Sequence, residues 1–151
     1  MVKSDFLVLR PMTEADLNAV YAIEKQVQYA PWSIPLFQEG LGRHLCTVAE
    51  YQHQIIGFSV VQFIVDEAHL LNIAIDPQYQ KRGFAKVLLA KVFAQAQDKN
   101  ASTLFLEVRQ SNQRALAIYQ MAGFNEIGLR KNYYPSPNGK EHAVIMAYML
   151  F

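Results

Sequence analysis

Apolar residues along the chain recur with two periods, and stretches of the two periods alternate. Short apolar runs bounded by turn residues predict strands, whereas apolar residues three and four positions apart predict amphipathic helices. The predicted strands cover residues 6–10, 45–51, 55–65, a run after Asp66-Glu67 that ends at 75, 103–108, 124–133 and 142–148. The predicted helices run over 16–29, from 32–35 to about 41, from 83 to about 98, and from after Asn112 to Gly123.

Local signals set several of these boundaries. Thr13 followed by Asp16 is typical of a helix N-cap, and Pro31 lies beyond the expected end of that helix. The inward stripe expected on this first helix is Leu17, Val20, Tyr21 and Val27. Gly123 is expected as a C-terminal glycine cap, and the turn-rich residues 135–139 are expected to join the last two strands.

The order of elements predicts an α/β fold with a mixed sheet. It reads strand, two helices, three strands, helix, strand, helix and two strands. With 151 residues, of which 52% are hydrophobic, the chain is long enough for one compact core, so residues 1–151 are expected to form a single domain.

Charge and composition exclude several classes of protein. The formal net charge is +1 and no basic run exceeds two residues, which argues against a direct nucleic-acid partner. No segment approaches the roughly 20 apolar residues of a membrane span, and residues 1–5 lack the apolar stretch of a signal peptide. We therefore expect a cytoplasmic protein without a membrane partner, and we expect a monomer.

The single cysteine and the four histidines give little sign of chemistry. Cys46 lies in an apolar strand-like run, where a free cysteine more often packs as a small hydrophobe than acts as a nucleophile. The histidines show no ligand spacing with Cys46 or with one another, so no metal is predicted.

A candidate anion-binding loop follows the fourth predicted strand. An Asp-Pro pair ends that strand, and the next helix begins near Gly83. Gly83 and the small Ala85 would let the backbone approach a ligand closely, and the free N–H groups of a helix N-terminus favour an anion. Lys81 and Arg82 add positive charge. The chain has no Gly-Lys-Ser or Gly-Lys-Thr tripeptide, so a nucleotide-triphosphatase loop is excluded, while an ordinary turn before a helix is the competing interpretation.

The wider pattern resembles the GNAT family of N-acetyltransferases. The spacing Gln80-x-x-Gly83-x-Ala85 resembles that family's coenzyme A pyrophosphate loop. Two later segments resemble other signatures of the family: residues 106–112 (Leu-Glu-Val-Arg-x-Ser-Asn) and 117–124 (Ala-Ile-Tyr-x-x-Ala-Gly-Phe). The predicted order of elements also matches, so the resemblance covers essentially the whole chain. It implies the GNAT fold, a mixed sheet of about seven strands with about four helices and with the fourth and fifth strands splayed apart, and it implies acetyl-CoA as co-substrate.

The resemblance also implies which residues bind the cofactor. They are the loop residues Gln80, Lys81, Arg82, Gly83, Phe84, Ala85 and Lys86, the backbone of Ile73, Ala74 and Ile75, and Asn112. The residues themselves leave two alternatives open. Asn112 could serve only as a helix cap, and the fourth strand could be fully paired on both sides.

Acetyl transfer to an amine needs a neutral amine, a polarised carbonyl and a proton for the departing thiolate. An α-amino group titrates at about 7.7–8.0 and needs only modest help from a base. Glu107 interrupts an apolar strand and is the candidate base, although alternation could simply place it in water. Tyr119 is the general acid that the resemblance implies, although a tyrosine on an apolar helix face is more often part of the core.

Within the family, three segments resemble members that acetylate the N-terminal alanine of a small-subunit ribosomal protein. They are residues 30–33 (Ala-Pro-Trp-Ser), 106–109 (Leu-Glu-Val-Arg) and 130–135 (Arg-Lys-Asn-Tyr-Tyr-Pro). This resemblance implies that the ribosomal protein's N-terminus is the substrate and that Trp32, Tyr133 and Tyr134 bind it. Acetylation of a lysine or a small amine, and a non-catalytic acyl-CoA-binding module, are the alternatives. Glu39, Asp66 and Glu67 are the first acidic residues expected to contact a basic substrate segment.

Overall fold

A seven-stranded sheet with four helices forms the protein, as seen in a computed structural model that describes residues 7–150. The strands are β1 (Val8–Pro11), β2 (Leu45–Tyr51), β3 (Gln54–Ile64), β4 (Glu67–Ile75), β5 (Thr103–Arg109), β6 (Asn125–Ser136) and β7 (Gly139–Met149). The helices are α1 (Leu17–Val27), α2 (Ile34–Leu41), α3 (Phe84–Asp98) and α4 (Gln113–Ala122). Phe6, the first residue of the predicted first strand, lies outside the described residues. None of the described helices is both long enough and apolar enough to cross a membrane.

The sheet is mixed, which confirms the predicted fold class. Its strand order is β1-β2-β3-β4-β5-β7-β6, with β4 and β5 parallel and all other neighbours antiparallel. One core cluster joins α1 and α2 to β2 and β3, and a second joins α3 and α4 to β4, β5 and β7. Adjacent residues of β3 enter different clusters, Val60 the first and Val61 the second, so the two helix pairs cover opposite faces of the sheet.

Strands β4 and β5 splay apart, as predicted. They are paired from Glu67 with Thr103 to Leu70 with Leu106, and beyond these residues no pairing joins them. A bulge at Leu71 precedes the separation, because Val61 pairs with Leu70 while Val60 pairs with Asn72.

The bulge changes which side chains of β4 face which helices, because a shift of one residue exchanges the two faces of a strand. Leu70 packs in the cluster of α3 and α4, whereas Ala74 packs in the cluster of α1 and α2. Asn72 accordingly meets α1, and Ile73 packs toward α4. The end of β4 therefore presents both a free backbone edge and side chains on two faces.

Helix α1 departs from its prediction at its C-terminal end. It ends at Val27 rather than at 29, and Val27, expected to face inward, is exposed. Ile23 and Glu24 are buried in its place. The backbone leaves the helix at Gln28, which is extended with φ −106° and ψ 134°, and Glu24 accepts a hydrogen bond from the backbone N–H of Trp32 in the segment that follows.

The last hairpin is also longer than predicted, and its turn is shorter. Strand β6 continues to Ser136 and β7 begins at Gly139, so the prediction of a turn over residues 135–139 is wrong. Pro135 is accommodated because β6 is an edge strand, where a missing N–H costs no ladder bond on the open side. Gly139 takes a φ of +115° that closes the tight turn.

Candidate active site

Three adjoining cavities lie along the opening between β4 and β5. The central cavity, about 520 Å³, lies between residues 73–75 of β4 and residues 112–119 of α4. The front cavity, about 510 Å³, is bounded by residues 106–109 of β5 and residues 133–135 of β6. The loop cavity, about 280 Å³, is bounded by residues 79–86. Ile73, Asn112 and Tyr119 line both the central and front cavities, and Gln80, Ala85 and Arg114 line both the central and loop cavities, so the three form one channel.

The loop before α3 has the backbone shape that its glycine predicts. Gly83 is the N-cap of α3 with φ +85° and ψ 1°, a left-handed conformation. No atom lies within 4 Å of where a Cβ would stand at Gly83, so the space above this residue is open. Gly83 precedes a 15-residue helix, and the free N–H groups of such a helix start favour an anion.

Two side-chain contacts hold this loop against the rest of the channel. Gln80 Nε2 donates to the carbonyl oxygen of Ile75 at 2.9 Å, and Arg114 Nη1 donates to Gln80 Oε1 at 2.8 Å. Arg114, on the first turn of α4, was not among the predicted cofactor-binding residues. It is 34 residues from Gln80 in the sequence, and local patterns do not reveal contacts between residues so far apart. Its charge lies beside both the central and loop cavities.

Of the loop residues predicted to bind cofactor, Arg82 is the one whose side chain does not line a cavity. Its guanidinium lies over the rings of Tyr51, Tyr79 and Phe84, at 5.1, 5.6 and 5.1 Å from the centroids. Arg82 Nη2 also donates to the Tyr51 hydroxyl at 3.1 Å. Arg82 therefore fastens the loop to the sheet, and a contact of its backbone with the cofactor stays a prediction.

The free edge of β4 lines the central cavity at Ile73, Ala74 and Ile75, and contact of this backbone with a cofactor stays a prediction. Asn112 faces the same cavity from the other side. Its Oδ1 accepts the N–H of Ala115 at 3.2 Å, so Asn112 is the N-cap of α4. The cap uses the side-chain oxygen and leaves the amide N–H groups for a ligand in the cavity.

Glu107 lies in the front cavity on the face of β5 opposite the buried Leu106 and Val108. Arg130 of β6 is its ionic partner, with Nε 2.7 Å from Oε2. The N–H does not point at the oxygen, so the contact is an ion pair without a well-formed hydrogen bond. The Arg130 side chain is 54% exposed, and its guanidinium also lies over the Tyr133 ring, 5.1 Å from the centroid.

Tyr119 approaches the same opening from the other face of the sheet. It lies in the core cluster of α3 and α4, and it lines both the central and front cavities. Burial raises the pKa of its phenol well above the ordinary value, and nearby Tyr134 adds to the shift. Tyr119 is therefore protonated at neutral pH and can donate a proton.

Aromatic residues form the two walls of the front cavity. Trp32 packs on Phe37, with ring centroids 5.2 Å apart, on the side of the α1–α2 segment. Tyr133 and Tyr134 stand on the β6 side with ring centroids 5.0 Å apart. Burial raises the pKa of Tyr134 to about 12, and the negative charge of Glu107 contributes. The structure thus brings all three predicted substrate-binding residues to the cavity that holds Glu107 and Tyr119.

Glu24 is a residue of the front cavity that sequence reasoning missed. It is fully buried, and its carboxylate accepts hydrogen bonds from the Trp32 N–H at 3.0 Å and from Asn72 Nδ2 at 3.1 Å. It therefore fastens the wall that carries Trp32 to the free end of β4. The available signal was a single glutamate on the apolar side of a helix, which is weak without its partner on β4.

Burial raises the pKa of Glu24 above its ordinary value of about 4.5, although the Trp32 and Asn72 hydrogen bonds oppose this. When folding raises the pKa of an acid, the free energy of unfolding falls as pH rises from the acid's pKa in the unfolded chain to its pKa in the folded protein. Below the pKa of the unfolded chain this loss of stability is absent. We expect Glu24→Gln to melt at the same temperature as the wild type or a few degrees higher at pH 7, with the difference shrinking toward pH 4.5. A free-energy change of about 1 kcal/mol shifts the melting temperature by roughly 2–4 °C in a chain of this size.

Calorimetry of the wild type and Glu24→Gln across this pH range measures the effect. Glu126→Gln, at an exposed position of β6, is the matched control. A Glu24→Gln variant that is less stable at pH 7 and regains stability at pH 4.5 would reverse the sign and refute this role.

Other candidates lie away from the channel. Cys46 is buried, its thiol faces the carbonyl of Gly40 at 3.6 Å, and burial raises its pKa to about 11, so it is a packed and unreactive thiol. Glu39, Asp66 and Glu67 line none of the three cavities. Within residues 7–150, no group of three or more His, Cys, Asp or Glu side chains is arranged to hold a metal ion.

Comparison with known proteins agrees with this geometry. Residues 14–124 match the model of the Acetyltransferase (GNAT) family. The ribosomal protein bS18-alanine N-acetyltransferase of Haemophilus influenzae is 44% identical over 145 residues, covering 95% of this chain and 99% of that protein. Its counterpart in Escherichia coli K12 is 41% identical over 133 residues, covering 87% and 90%. The crystal structure of the ribosomal-protein-S18-alanine N-acetyltransferase from Escherichia coli matches with a TM-score of 0.90 and 38% identity, covering 96% and 94%.

Proposed function

Because the chain belongs to the GNAT family of acetyltransferases, we propose that it transfers an acetyl group from acetyl-CoA to the N-terminal alanine of the small-subunit ribosomal protein bS18. One observation carries this proposal: Glu107 and Tyr119 line the same cavity. The two side chains come to it from opposite faces of the sheet, where β4 and β5 separate. The choice of substrate follows the relatives more than 40% identical to the chain, which are bS18-alanine N-acetyltransferases. The cytosol is the compartment in which we expect the reaction.

The channel fits acetyl-CoA. The loop cavity offers N–H groups at a helix start and the charges of Lys81 and Lys86, which suit a pyrophosphate. The central cavity offers the free backbone edge of β4 on one side and Asn112 on the other, which suit the amides of a pantetheine arm. The thioester would then reach the junction of the central and front cavities, where Tyr119 stands.

At that junction each step has a residue of this chain. Glu107, directly or through water, accepts a proton from the alanine amine, whose nitrogen forms the new bond to the acetyl carbon. Tyr119 donates its phenolic proton to the sulfur as the carbon–sulfur bond breaks, which releases coenzyme A as the thiol. Glu107 then gives up the proton taken from the amine, the Tyr119 phenolate takes up one proton, and both residues return to their starting states. We propose that an N–H of the unpaired β4 edge polarises the carbonyl oxygen.

Direct transfer from one substrate to the other is favoured over an acetylated enzyme. The lone cysteine is buried under α2 and lines no cavity, and its raised pKa leaves little thiolate at neutral pH. The central and front cavities adjoin and together offer space for both substrates at once, which supports a ternary complex.

The cofactor loop gives a prediction that compares the same substitution at two glycines with positive φ. Valine at position 83 would hold a β-branched side chain at φ +85°, a conformation that costs roughly 1–2 kcal/mol for residues with a Cβ and more for branched ones. We expect Gly83→Val to weaken coenzyme A binding at least about tenfold by distorting the loop, and Lys81→Ala to weaken it less because an exposed charge is screened.

Gly139→Val is the matched control, because Gly139 also has a positive φ with open space around its Cβ position but lies at the β6–β7 turn. Titration calorimetry with coenzyme A measures all three variants. Equal affinity in Gly83→Val and Gly139→Val would contradict the placement of the pyrophosphate.

A direct test of the proposed function places the acetyl group on a substrate. The protein is incubated with acetyl-CoA and a panel of peptides, comprising the N-terminal segment of bS18, the same segment with its first residue changed, and peptides whose only amine is a lysine. Mass spectrometry then locates the modification. Acetylation confined to the α-amine of the alanine-first peptide supports the proposal, whereas modification of lysine alone would replace it.

A further inference from the structure

Arg109, the last residue of β5, lies between the central and front cavities and lines both. Its Nη1 donates to the carbonyl oxygen of Pro135 at 2.7 Å and to Glu141 Oε1 at 2.9 Å. Its guanidinium also lies 4.5 Å from the centroid of the Tyr134 ring. One side chain thus contacts the end of β6, the start of β7 and an aromatic wall residue.

Glu141 completes the arrangement. Its other oxygen, Oε2, accepts the backbone N–H of Ser111 at 3.1 Å, immediately before the N-cap of α4. Partial burial alone would raise the pKa of Glu141, but the hydrogen bonds from Ser111 and Arg109 hold it below its ordinary value, so this residue is ionised. The Arg109 and Glu141 side chains are only 15% and 19% exposed, so their contact is poorly screened by solvent.

The sheet ladder alone does not hold this part of the hairpin. The register of β6 and β7 is interrupted between Arg130 and Tyr134, and Asn132 within the interruption has a φ of +52°. The interrupted segment carries Tyr133 and leads into Tyr134, both of which face the front cavity. On its other side β6 is the open edge of the sheet. The orientation of this wall therefore depends on contacts other than strand pairing.

We infer that Arg109 and Glu141 form a positioning pair that holds the β6–β7 hairpin over the front cavity and links it to the start of α4. The pair fixes the wall that receives the acceptor peptide, and it acts through Tyr134 and Pro135 rather than on the reacting atoms. This inference rests on the proposed function for the identity of the acceptor. Both hydrogen bonds come from Nη1, and the flat guanidinium also lies over the Tyr134 ring, a contact that a lysine ammonium does not reproduce.

The test uses Arg109→Gln, Arg109→Lys and Glu141→Gln in the full chain. The control is Arg43→Ala, which breaks the exposed Arg43–Glu39 pair, whose side chains are 70% and 56% exposed. Initial rates with the alanine-first bS18 peptide and with acetyl-CoA give the Michaelis constant of each substrate. Hydrogen exchange followed by mass spectrometry reports the opening of residues 130–141, and melting curves establish that each variant is folded.

Arg109→Gln is expected to raise the KM of the peptide about tenfold, because peptide binding must then also order the wall that the pair holds in the wild type, while the KM of acetyl-CoA changes less than about twofold. Arg109→Lys should recover part of this loss, and Glu141→Gln should resemble Arg109→Gln. Exchange should quicken in residues 130–141 in all three variants and stay at the wild-type rate in Arg43→Ala.

Two results would overturn the inference. One is exchange in residues 130–141 as slow in Arg109→Gln as in the wild type. The other is a rise of both Michaelis constants by the same factor, which would indicate that the pair supports the central cavity or the fold as a whole rather than the peptide wall. If the wild type fails to acetylate the alanine-first peptide, the proposed function fails, and the exchange comparison decides the positioning role by itself.

Discussion

Replacing Glu107 by glutamine is expected to lower kcat by about 10²–10⁴-fold, the range typical of a lost general base, while coenzyme A binding stays close to that of the wild type. Glutamine keeps the size of the side chain but cannot accept a proton from the amine. Glu107 stands in the front cavity, away from the loop cavity where the pyrophosphate is expected. The effect should therefore appear in turnover with a saturating peptide.

Stability should change little in this variant. The ion pair that Glu107 forms with Arg130 in the wild type is partly solvated, and exposed ion pairs contribute roughly 0–1 kcal/mol to the free energy of unfolding. Glu126→Gln, the same chemical change at an exposed position of β6, serves as the control for turnover. If Glu107→Gln acetylates the peptide at the wild-type rate, Glu107 has no part in the proton transfer.

Tyr119→Phe is expected to lower kcat over the same range, about 10²–10⁴-fold, because the departing sulfur then lacks its proton donor. The phenol is buried and its pKa is raised, so the group is fully protonated at neutral pH in the wild type. Phenylalanine preserves the ring that packs on Phe124, with centroids 5.7 Å apart, so the core should hold. The loss should persist at every peptide concentration.

Tyr148→Phe is the matched control for this second variant. Tyr148 packs on the same Phe124, with centroids 5.8 Å apart, but lines none of the three cavities. Stopped-flow or continuous thiol-release assays on both variants separate lost chemistry from lost packing. An equal and small effect of the two substitutions would remove Tyr119 from the mechanism.

Local signals in the sequence were sufficient for much of the fold. Ser33 caps α2 by accepting the N–H of Leu36, Gly83 caps α3 and Gly123 ends α4, each as the residue type predicts. The order of helices and strands along the chain and the separation of β4 from β5 were also predicted, with the resemblance to the GNAT family supplying the separation. Family membership is confirmed by the matching family model.

What the sequence did not reveal depends on contacts between distant residues. Glu24 and Asn72 are 48 positions apart, and they meet because a one-residue bulge turns Asn72 toward α1. Arg109 and Glu141 are 32 positions apart and meet only after the last hairpin folds back on β5. Periodicity describes which face of an element is apolar, and it carries no information about such partners.

The loop shows the same distinction on a smaller scale. Its glycine and its helix start are local features, and they were predicted. The position of the Arg82 side chain depends on Tyr51, 31 residues earlier, whose ring and hydroxyl hold the guanidinium away from the cavities. A charge next to a binding motif is therefore not sufficient evidence of a contact with the ligand.

The most direct test of the account compares two peptides with the N-terminal sequence of bS18. One has a free N-terminal alanine and no lysine, and the other has the same sequence with a blocked N-terminus and one free lysine. The two walls of the front cavity, with Trp32 on one side and Tyr133 and Tyr134 on the other, suit an amine carried on the peptide backbone. We predict a kcat/KM for the free-alanine peptide at least about a hundredfold higher. A higher kcat/KM for the blocked peptide would contradict the account and make the protein a lysine acetyltransferase.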